Sequence, residues 1–597
     1  MEGIKKDHEN LGELLSGDRI ENSPYKINMK EDKFCEQLCY VKNNDIGKLK
    51  KAIEENYHNN WIVDNLPSAS RVTTEASMVH TTYSHGFPIG MVDSKTKDVY
   101  INNHVNIVLE YHEVEGSNGS LDKEYRIVRF TVEPFSIKHD FTPNVNTDDD
   151  NNKKEGFTNS IATINNPVKS CDPTNNNMHT SFFNLYANNS RQMLNKGEAI
   201  LFTYDVIWKE NKEVSWASRW DIYLSTNVPN QIHWFTITNS VFIVVLLTIF
   251  VAVILVRNLK SDYERYSIVL DEEIDEVMEE SGWKLVHADV FRPPAYPMVF
   301  SVICGSGSQL LLMSVLTICF AAMGFVNPSR RGSLIMSLLC LYVLMGSIAG
   351  FISARFYKSF NGKSYQKNTM ATAFTFPTLF FSVFFLMNLI AHSKQSGDAV
   401  PFIRMIELLA IWFGVSSPLV FVGAFFGYKR EGFEYPVSTS NLPRQIPDQP
   451  FYLKPLMTAL FGGILPFGGC YLQIFFIFSS MWMDQYYYIF GFLFLTLLLV
   501  MVIVAEMAMV LNYIQLCRED YHWWWRSLIN AGAFAFFVFG YAVIYFKELE
   551  SNSLATYLLY FGYMALISFA LFLVSGCVGV FSCLWLNKKI FGAIKID

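Results

Sequence analysis

Val241-Phe242-Ile243-Val244-Val245-Leu246-Leu247-Thr248-Ile249-Phe250-Val251-Ala252-Val253-Ile254-Leu255-Val256, closed by Arg257, is the stretch that decides the fold. Extended back to Trp234, it is an uncharged apolar run of the length a helix needs to cross a bilayer core, roughly 20 residues. Before about Ile232 the chain is rich in Asn, Asp, Glu, Lys and His; after Trp234 it is dominated by Phe, Leu, Val, Ile, Gly and Ala. The mean hydropathy of +0.18 therefore averages two unlike parts. Further apolar runs lie at about 297–326, 333–353, 371–392, 402–428, 456–480, 487–515, 527–547 and 555–586. They are too long and too numerous for a water-soluble core. The expected fold is a polytopic α-helical membrane protein of nine transmembrane helices behind an N-terminal β-sandwich-like domain. The expected organisation is a polar domain over 1–232, a first transmembrane helix over 233–257 and a loop over 258–295, followed by eight further helices over 296–587 and a tail over 588–597.

Lys and Arg placement predicts the orientation. With the N-terminus outside, the cytosolic segments hold 18 basic residues, among them Arg257, Arg292, Arg355, Lys358, Arg430, Arg444, Arg518, Arg526, Lys588 and Lys595. The opposite loops hold five: Arg330, Arg331, Lys394, Arg404 and Lys547. The bias places the polar domain in a lumen and the tail in the cytosol. Met1 opens a charged stretch with no apolar h-region, so no secretory signal is read there. A lumenal domain ahead of the first span normally needs one, so either the native N-terminus is longer, which is the favoured reading, or the first span alone exports the polar domain. The net charge of −7 comes with no dense basic face, so nucleic acid is not an expected partner.

Within the polar domain, Val105, Ile107, Leu109 and Tyr111 alternate with His104, Asn106 and Glu110. Val128, Phe130 and Val132 do the same, as do Phe202, Tyr204, Val206 and Trp208, and Trp216 to Leu224 reads as another strand. This period of two predicts antiparallel sheets, arranged as a sandwich. The Asn/Asp/Lys-rich stretch over about 144–177 reads as a disordered insertion. Two glycosylation sequons begin at Asn118 and Asn188. Of ten cysteines, Cys35 and Cys39 are close enough in sequence to suggest a small disulfide loop in an oxidising lumen.

Four stretches are more specific. Leu14-Leu15-Ser16-Gly17-Asp18-Arg19-Ile20-Glu21-Asn22-Ser23-Pro24-Tyr25 opens the polar domain, and Trp283-Lys284-Leu285-Val286-His287-Ala288-Asp289-Val290-Phe291-Arg292-Pro293-Pro294 precedes the second span. Cys517-Arg518-Glu519-Asp520-Tyr521-His522-Trp523-Trp524-Trp525-Arg526 joins spans seven and eight, and Ile594-Lys595-Ile596-Asp597 closes the chain. Together they resemble the nonaspanins, also called the transmembrane 9 superfamily or endomembrane protein 70 family. The resemblance implies residence in Golgi and endosomal membranes and roles in sorting membrane proteins to the surface, in cell adhesion and in phagocytosis. It also implies that Lys595, Ile596 and Asp597 form a tail signal read by a vesicle coat. A family signal peptide, and lumenal sequence before the Gly-Asp-Arg stretch, are not found here.

Other residues invite functional readings. Glu506 lies deep in span seven, where a carboxyl is costly unless protonated, paired or beside a polar cavity. It suits an ion or proton pathway or a contact for polar client groups, and equally a neutral acid bonded to a neighbouring helix. Arg404 and Glu407 have the spacing of a local ion pair. The Trp523-Trp524-Trp525 run reads as an interfacial anchor, and His287 with Asp289 as a turn ahead of Pro293-Pro294. No catalytic, cofactor-binding or metal-ligand pattern emerges, so an enzyme is not expected. The leading expectation is a sorting receptor whose client membrane proteins dock through glycine-rich grooves at Gly462-Gly463 and Gly468-Gly469. The alternative is a transporter or channel for ions or metals.

Overall fold

A computed structural model describes residues 10–15, 20–40, 46–73, 81–93, 96–114, 124–139, 191–194, 200–216, 219, 230–271, 282–326, 332–394, 396, 399–481, 490–549 and 554–593. They form two compact units, one of Met1–Asp7 with Glu21–Val228 and one of His8–Ile20 with Pro229–Asp597.

The first unit is built on strands β1 (Lys33–Tyr40), β2 (Ala69–Thr73), β3 (Thr81–His85), β4 (His104–Val114), β5 (Glu124–Phe135) and β6 (Leu201–Glu210). They form one sheet in the order β1-β6-β4-β5-β2-β3, beside three two-stranded ribbons. The alternation of apolar residues has its expected effect. Val105, Ile107 and Leu109 of β4 pack with Phe130 and Val132 of β5, Tyr204 and Val206 of β6, and Leu66 and Phe87. Antiparallel pairing holds for β4–β5, β1–β6 and β2–β3. The β4–β6 pair is parallel, with His104 opposite Thr203 and Glu110 opposite Lys209, and β5 meets β2 in parallel at Thr131 and Ala69. The sheet is therefore mixed. Parallel neighbours need a long crossover, and the connection from β4 to β6 runs through β5 and the polar insertion.

One finding adds to the sequence reading and one corrects it. Both faces of the first half of β4 are covered: His104 and Asn106 are buried, and His104 contacts Thr203 Oγ1 at 2.8 Å and Asp205 at 3.4 Å. The Cys35–Cys39 loop is not formed, for Cys39 carries a free thiol while Cys35 is disulfide-bonded elsewhere. Both lie on β1, where four residues of extended chain span about 13 Å, twice what a disulfide bridges. Burial pushes the Cys39 thiol up. Most of the predicted strand from Trp216 to Leu224 falls outside the described residues, as does the whole insertion.

In the second unit, nine helices among the described residues are long and apolar enough to cross a membrane. They are α1 (Asn230–Asp271), α2 (Pro297–Ala322), α3 (Ser333–Ser359), α4 (Tyr365–Ser393), α5 (Phe402–Lys429), α6 (Pro455–Met481), α7 (Phe490–Cys517), α8 (Trp523–Tyr545) and α9 (Leu554–Gly592). In lipid the helices gain nothing from excluding water, so close packing holds them together. Gly350 of α3 and Gly423 of α5 make this possible: an added Cβ would lie 2.0 Å from Val420 O and 1.8 Å from Ser347 O respectively. Gly307 similarly brings α2 onto Leu573 of α9, and Gly462 brings α6 onto Asn530 of α8. The central helix α8 packs on α6, α7 and α9, whereas the span of α1 is only 11% buried and lies at the edge. Pro418 has no N–H to donate and its ring crowds the preceding turn, and α5 widens just before it into a π-helical segment, Trp412–Ser416.

The short helix Leu11–Leu15 also belongs to this unit rather than to the polar domain. Asn10 and Glu13 cap it reciprocally, each backbone N–H donating to the other's side chain at 2.8 Å. Gly12 sits against Gly332 just before α3, where a Cβ would lie 2.1 Å from Gly332 O. Gly332 has a φ of +63°, a conformation that glycine adopts without strain.

Candidate functional site

The end of the helical unit that carries most of the basic residues is covered by three loop segments, and two of them are specific stretches of the sequence. Pro293-Pro294 cannot continue a helix and biases the residue before it toward extended chain, so the carbonyls of this segment need outside donors. The first turn of α8 supplies them. Trp523 Nε1 donates to Val290 O at 2.8 Å, Trp524 Nε1 to Arg292 O at 3.0 Å and Trp525 Nε1 to Ala295 O at 2.7 Å. Indole is a donor only, so three consecutive tryptophans suit a row of carbonyls. Trp523 and Trp524 are fully buried. This counts against the reading of the run as an interfacial anchor: these two rings are enclosed by protein rather than offered to lipid headgroups.

Asp289 fixes the same segment. It accepts from Arg292 Nε at 3.0 Å and from the backbone N–H of Arg444 at 3.1 Å, and Arg292 also donates to Ser440 O at 2.9 Å. His287 Nδ1 lies 2.8 Å from Lys284 O. These two residues make a turn, as their place before the proline pair suggests. Arg444 pairs with Glu519 at 3.0 Å, and the buried Asp520 pairs with Arg526 at 2.9 Å. Burial alone would raise the Asp520 carboxyl, but hydrogen bonds from His522 and the Arg526 charge outweigh it and hold it below the usual carboxylate range. Asp262, at the matching end of α1, accepts from Trp283 Nε1 at 3.0 Å and Tyr513 OH at 2.6 Å. The result is a rigid collar over one end of the bundle.

Inside the bundle, Glu506 is buried in the middle of α7 and faces the Thr248 hydroxyl of α1. Among the described residues no Lys, Arg or His forms an ion pair with it. Further polar side chains are buried on the spanning helices. Asn512 Nδ2 donates to Asn587 Oδ1 at 2.7 Å, joining α7 to α9, and Gln473 of α6 has no partner for either amide atom among the described residues. The Asn512–Asn587 pair and the Asp520–Arg526 pair were not singled out from sequence. Asn and Gln within spans are uncommon enough to have flagged the first. Arg404 and Glu407 form the expected ion pair at 2.8 Å. Among the described residues no group of three or more His, Cys, Asp or Glu is placed to hold a metal. Lys595, Ile596, Asp597, Asn118 and Asn188 lie outside the described residues.

The glycine positions sort into two kinds. A Cβ at Gly462 would lie 2.5 Å from Asn530 O and one at Gly463 2.7 Å from the Phe537 ring, so both are used in packing α6 on α8. Gly468, Gly414 and Gly540 have nothing within 4 Å. The groove expected over Gly462-Gly463 is therefore filled by α8, and Gly468 is the open position on α6.

Residues 1–554 match the family described as endomembrane protein 70. The chain is 41% identical over 603 residues to transmembrane 9 superfamily member 10 of Arabidopsis thaliana, covering 100% of this chain and 90% of that protein. It is 38% identical over 605 residues to transmembrane 9 superfamily member 4 of Homo sapiens, covering 99% and 89%. It is 39% identical over 620 residues to transmembrane 9 superfamily member 2 of Pongo abelii, covering 99% and 87%. No solved structure matches it.

Proposed function

The chain belongs to the endomembrane protein 70 family, and from that premise we propose that it is a multi-pass protein of Golgi and endosomal membranes that sorts membrane-protein cargo for delivery to the surface. Links to cell adhesion and phagocytosis follow from the same role. The observation that carries the reading is the course of α9. It ends at Gly592 on the basic end of the bundle, just past Lys588 and Lys589, and Lys595-Ile596-Asp597 comes shortly after it in the sequence. The positive-inside rule assigns that end to the cytosol. There the Lys595 ammonium beside the Asp597 carboxylate is a compact charge pattern that a vesicle coat subunit reads through charge-assisted hydrogen bonds. The polar domain and the N-terminus then face the lumen. Clients dock through packing against exposed small positions such as Gly468.

Replacing Lys595 and Asp597 with serine is expected to lower capture of coat by an immobilised tail peptide about tenfold and to redistribute the full chain away from the Golgi. Surface proteomics of cells lacking the protein should show a selective loss of proteins with glycine-rich spans, restored by the full chain. An unchanged surface overturns sorting.

The buried Glu506 favours a second reading, an ion or metal transporter or channel. If it holds, purified protein in liposomes moves the ion and Glu506→Gln slows the flux about tenfold or more. Equal flux removes Glu506 from the path, and no flux from the native chain removes transport.

A further inference from the structure

At the basic end, the loop after α5 lays two aromatic rings across the ends of α3 and α9. The backbone N–H of Phe433 donates to Ser359 Oγ at 2.7 Å, and its ring packs on Phe356 with centroids 5.0 Å apart. Tyr435 stacks on the buried Phe291 at 4.6 Å. Two cations then converge on these rings from different helices. Arg355 of α3 lies 4.5 Å from the Phe433 centroid, and Lys588 of α9 lies 5.1 Å from it and 5.6 Å from Tyr435. The Arg355 charge acts on Lys588, and like charges that feel one another are destabilising unless an anion lies between or beside them. Among the described residues neither forms an ion pair, and the buried Nε of Arg355 has no acceptor. Glu434 is the acid that faces Lys588, and it is exposed and forms no ion pair with it.

We infer that Arg355, Lys588, Phe433 and Tyr435 form a binding site for a phosphate-bearing anionic headgroup. Basic pockets between helix ends hold such groups in membranes, and guanidinium presents a fork that matches phosphate. The rings present an apolar surface beside the two cations. A lipid headgroup and a free phosphate share this chemistry.

The test uses the full chain purified in neutral detergent, with its thermal unfolding midpoint read against three additions: a short-chain phosphatidylinositol monophosphate, short-chain phosphatidylcholine and inorganic phosphate. A raised midpoint with the anionic lipid alone assigns a lipid site. A raised midpoint with inorganic phosphate as well assigns the site to the free anion. Lys588→Gln is expected to weaken the response about tenfold while leaving the ligand-free midpoint unchanged or higher, because one of two like charges is gone. Lys429→Gln removes the same charge from an exposed position at the same end and should keep the full response. If the native chain answers no anion, if Lys588→Gln and the native chain answer alike, or if phosphatidylcholine acts as well as the anionic lipid, the site does not exist.

Discussion

Trp523→Ala will destabilise the helical unit by about 4–8 kcal/mol, the sum of losing a fully buried aromatic side chain (about 3–5 kcal/mol) and of leaving a buried carbonyl without its donor (about 1–3 kcal/mol). The ring is completely enclosed, stacks on Trp524 at 3.9 Å and donates to Val290 O. Trp523→Phe keeps most of the packing and removes the donor, so its expected cost is about 1–2 kcal/mol. Trp525→Ala should fall between the two, for that ring is only partly buried but keeps its bond to Ala295 O and its contact with Phe300 at 5.3 Å. The measurement is the thermal midpoint of the purified chain in one detergent, with size exclusion to confirm that each variant is folded. Equal midpoints for the native chain and Trp523→Ala would restore the anchor reading of these residues. The collar also ties this effect to the trafficking proposal. The tail leaves the bundle from α9, whose Phe591 packs edge-on against Trp283 at 5.5 Å. A loosened collar therefore disturbs the last turn of the helix that delivers the tail.

The membrane part was legible because lipid imposes so strict a demand. Every spanning backbone must satisfy its own hydrogen bonds, which forces apolar runs of a set length, and Val241–Val256 shows this without any tertiary information. The ends of helices were less legible. Span eight was expected from 527, but its helix begins at Trp523, because the tryptophans that look like a boundary serve as its first turn. Their partners at Val290 to Ala295 lie more than 200 residues away in the chain, and no local pattern announces such a contact. In the polar domain, the alternation in β4 and β5 was a sound guide to strands. It could not reveal that both faces of β4 are covered, nor that β4 and β6 run parallel. Cys35 and Cys39 misled because closeness in sequence is distance in an extended strand. For the site, Glu506 stood out as a charge in an apolar run, whereas Arg355 and Lys588 looked like ordinary flanking basic residues until the fold brought both to one ring.

Sequence alone also could not separate glycines that are consumed from those that are free, and Gly423→Leu against Gly468→Leu makes that difference measurable. At Gly423 even a methyl group would lie 1.8 Å from Ser347 O, and the neighbouring Gly350 leaves no slack, since its own Cβ would meet Val420 O at 2.0 Å. Leucine there forces α3 and α5 apart along their whole contact. Overpacking a core costs about 1–3 kcal/mol when neighbours can shift. Backbone atoms of two helices in contact cannot, so we expect at least about 3 kcal/mol and little folded protein. At Gly468 the added side chain enters open space. The stability should stay within about 0.5 kcal/mol of native, as for a surface substitution. That variant is consequently the clean probe of client docking, which Gly462→Leu and Gly463→Leu are not, because both would break the α6–α8 contact first. A folded Gly468→Leu protein that no longer co-purifies with glycine-rich clients places their docking face on α6. If it captures clients and delivers them to the surface like the native chain, that face is not where cargo binds, and the search moves to Gly414 on α5 and Gly540 on α8. A stable Gly423→Leu protein would mean that packing at glycines does not hold this bundle together, and the argument that only open glycines are left for clients would lose its basis.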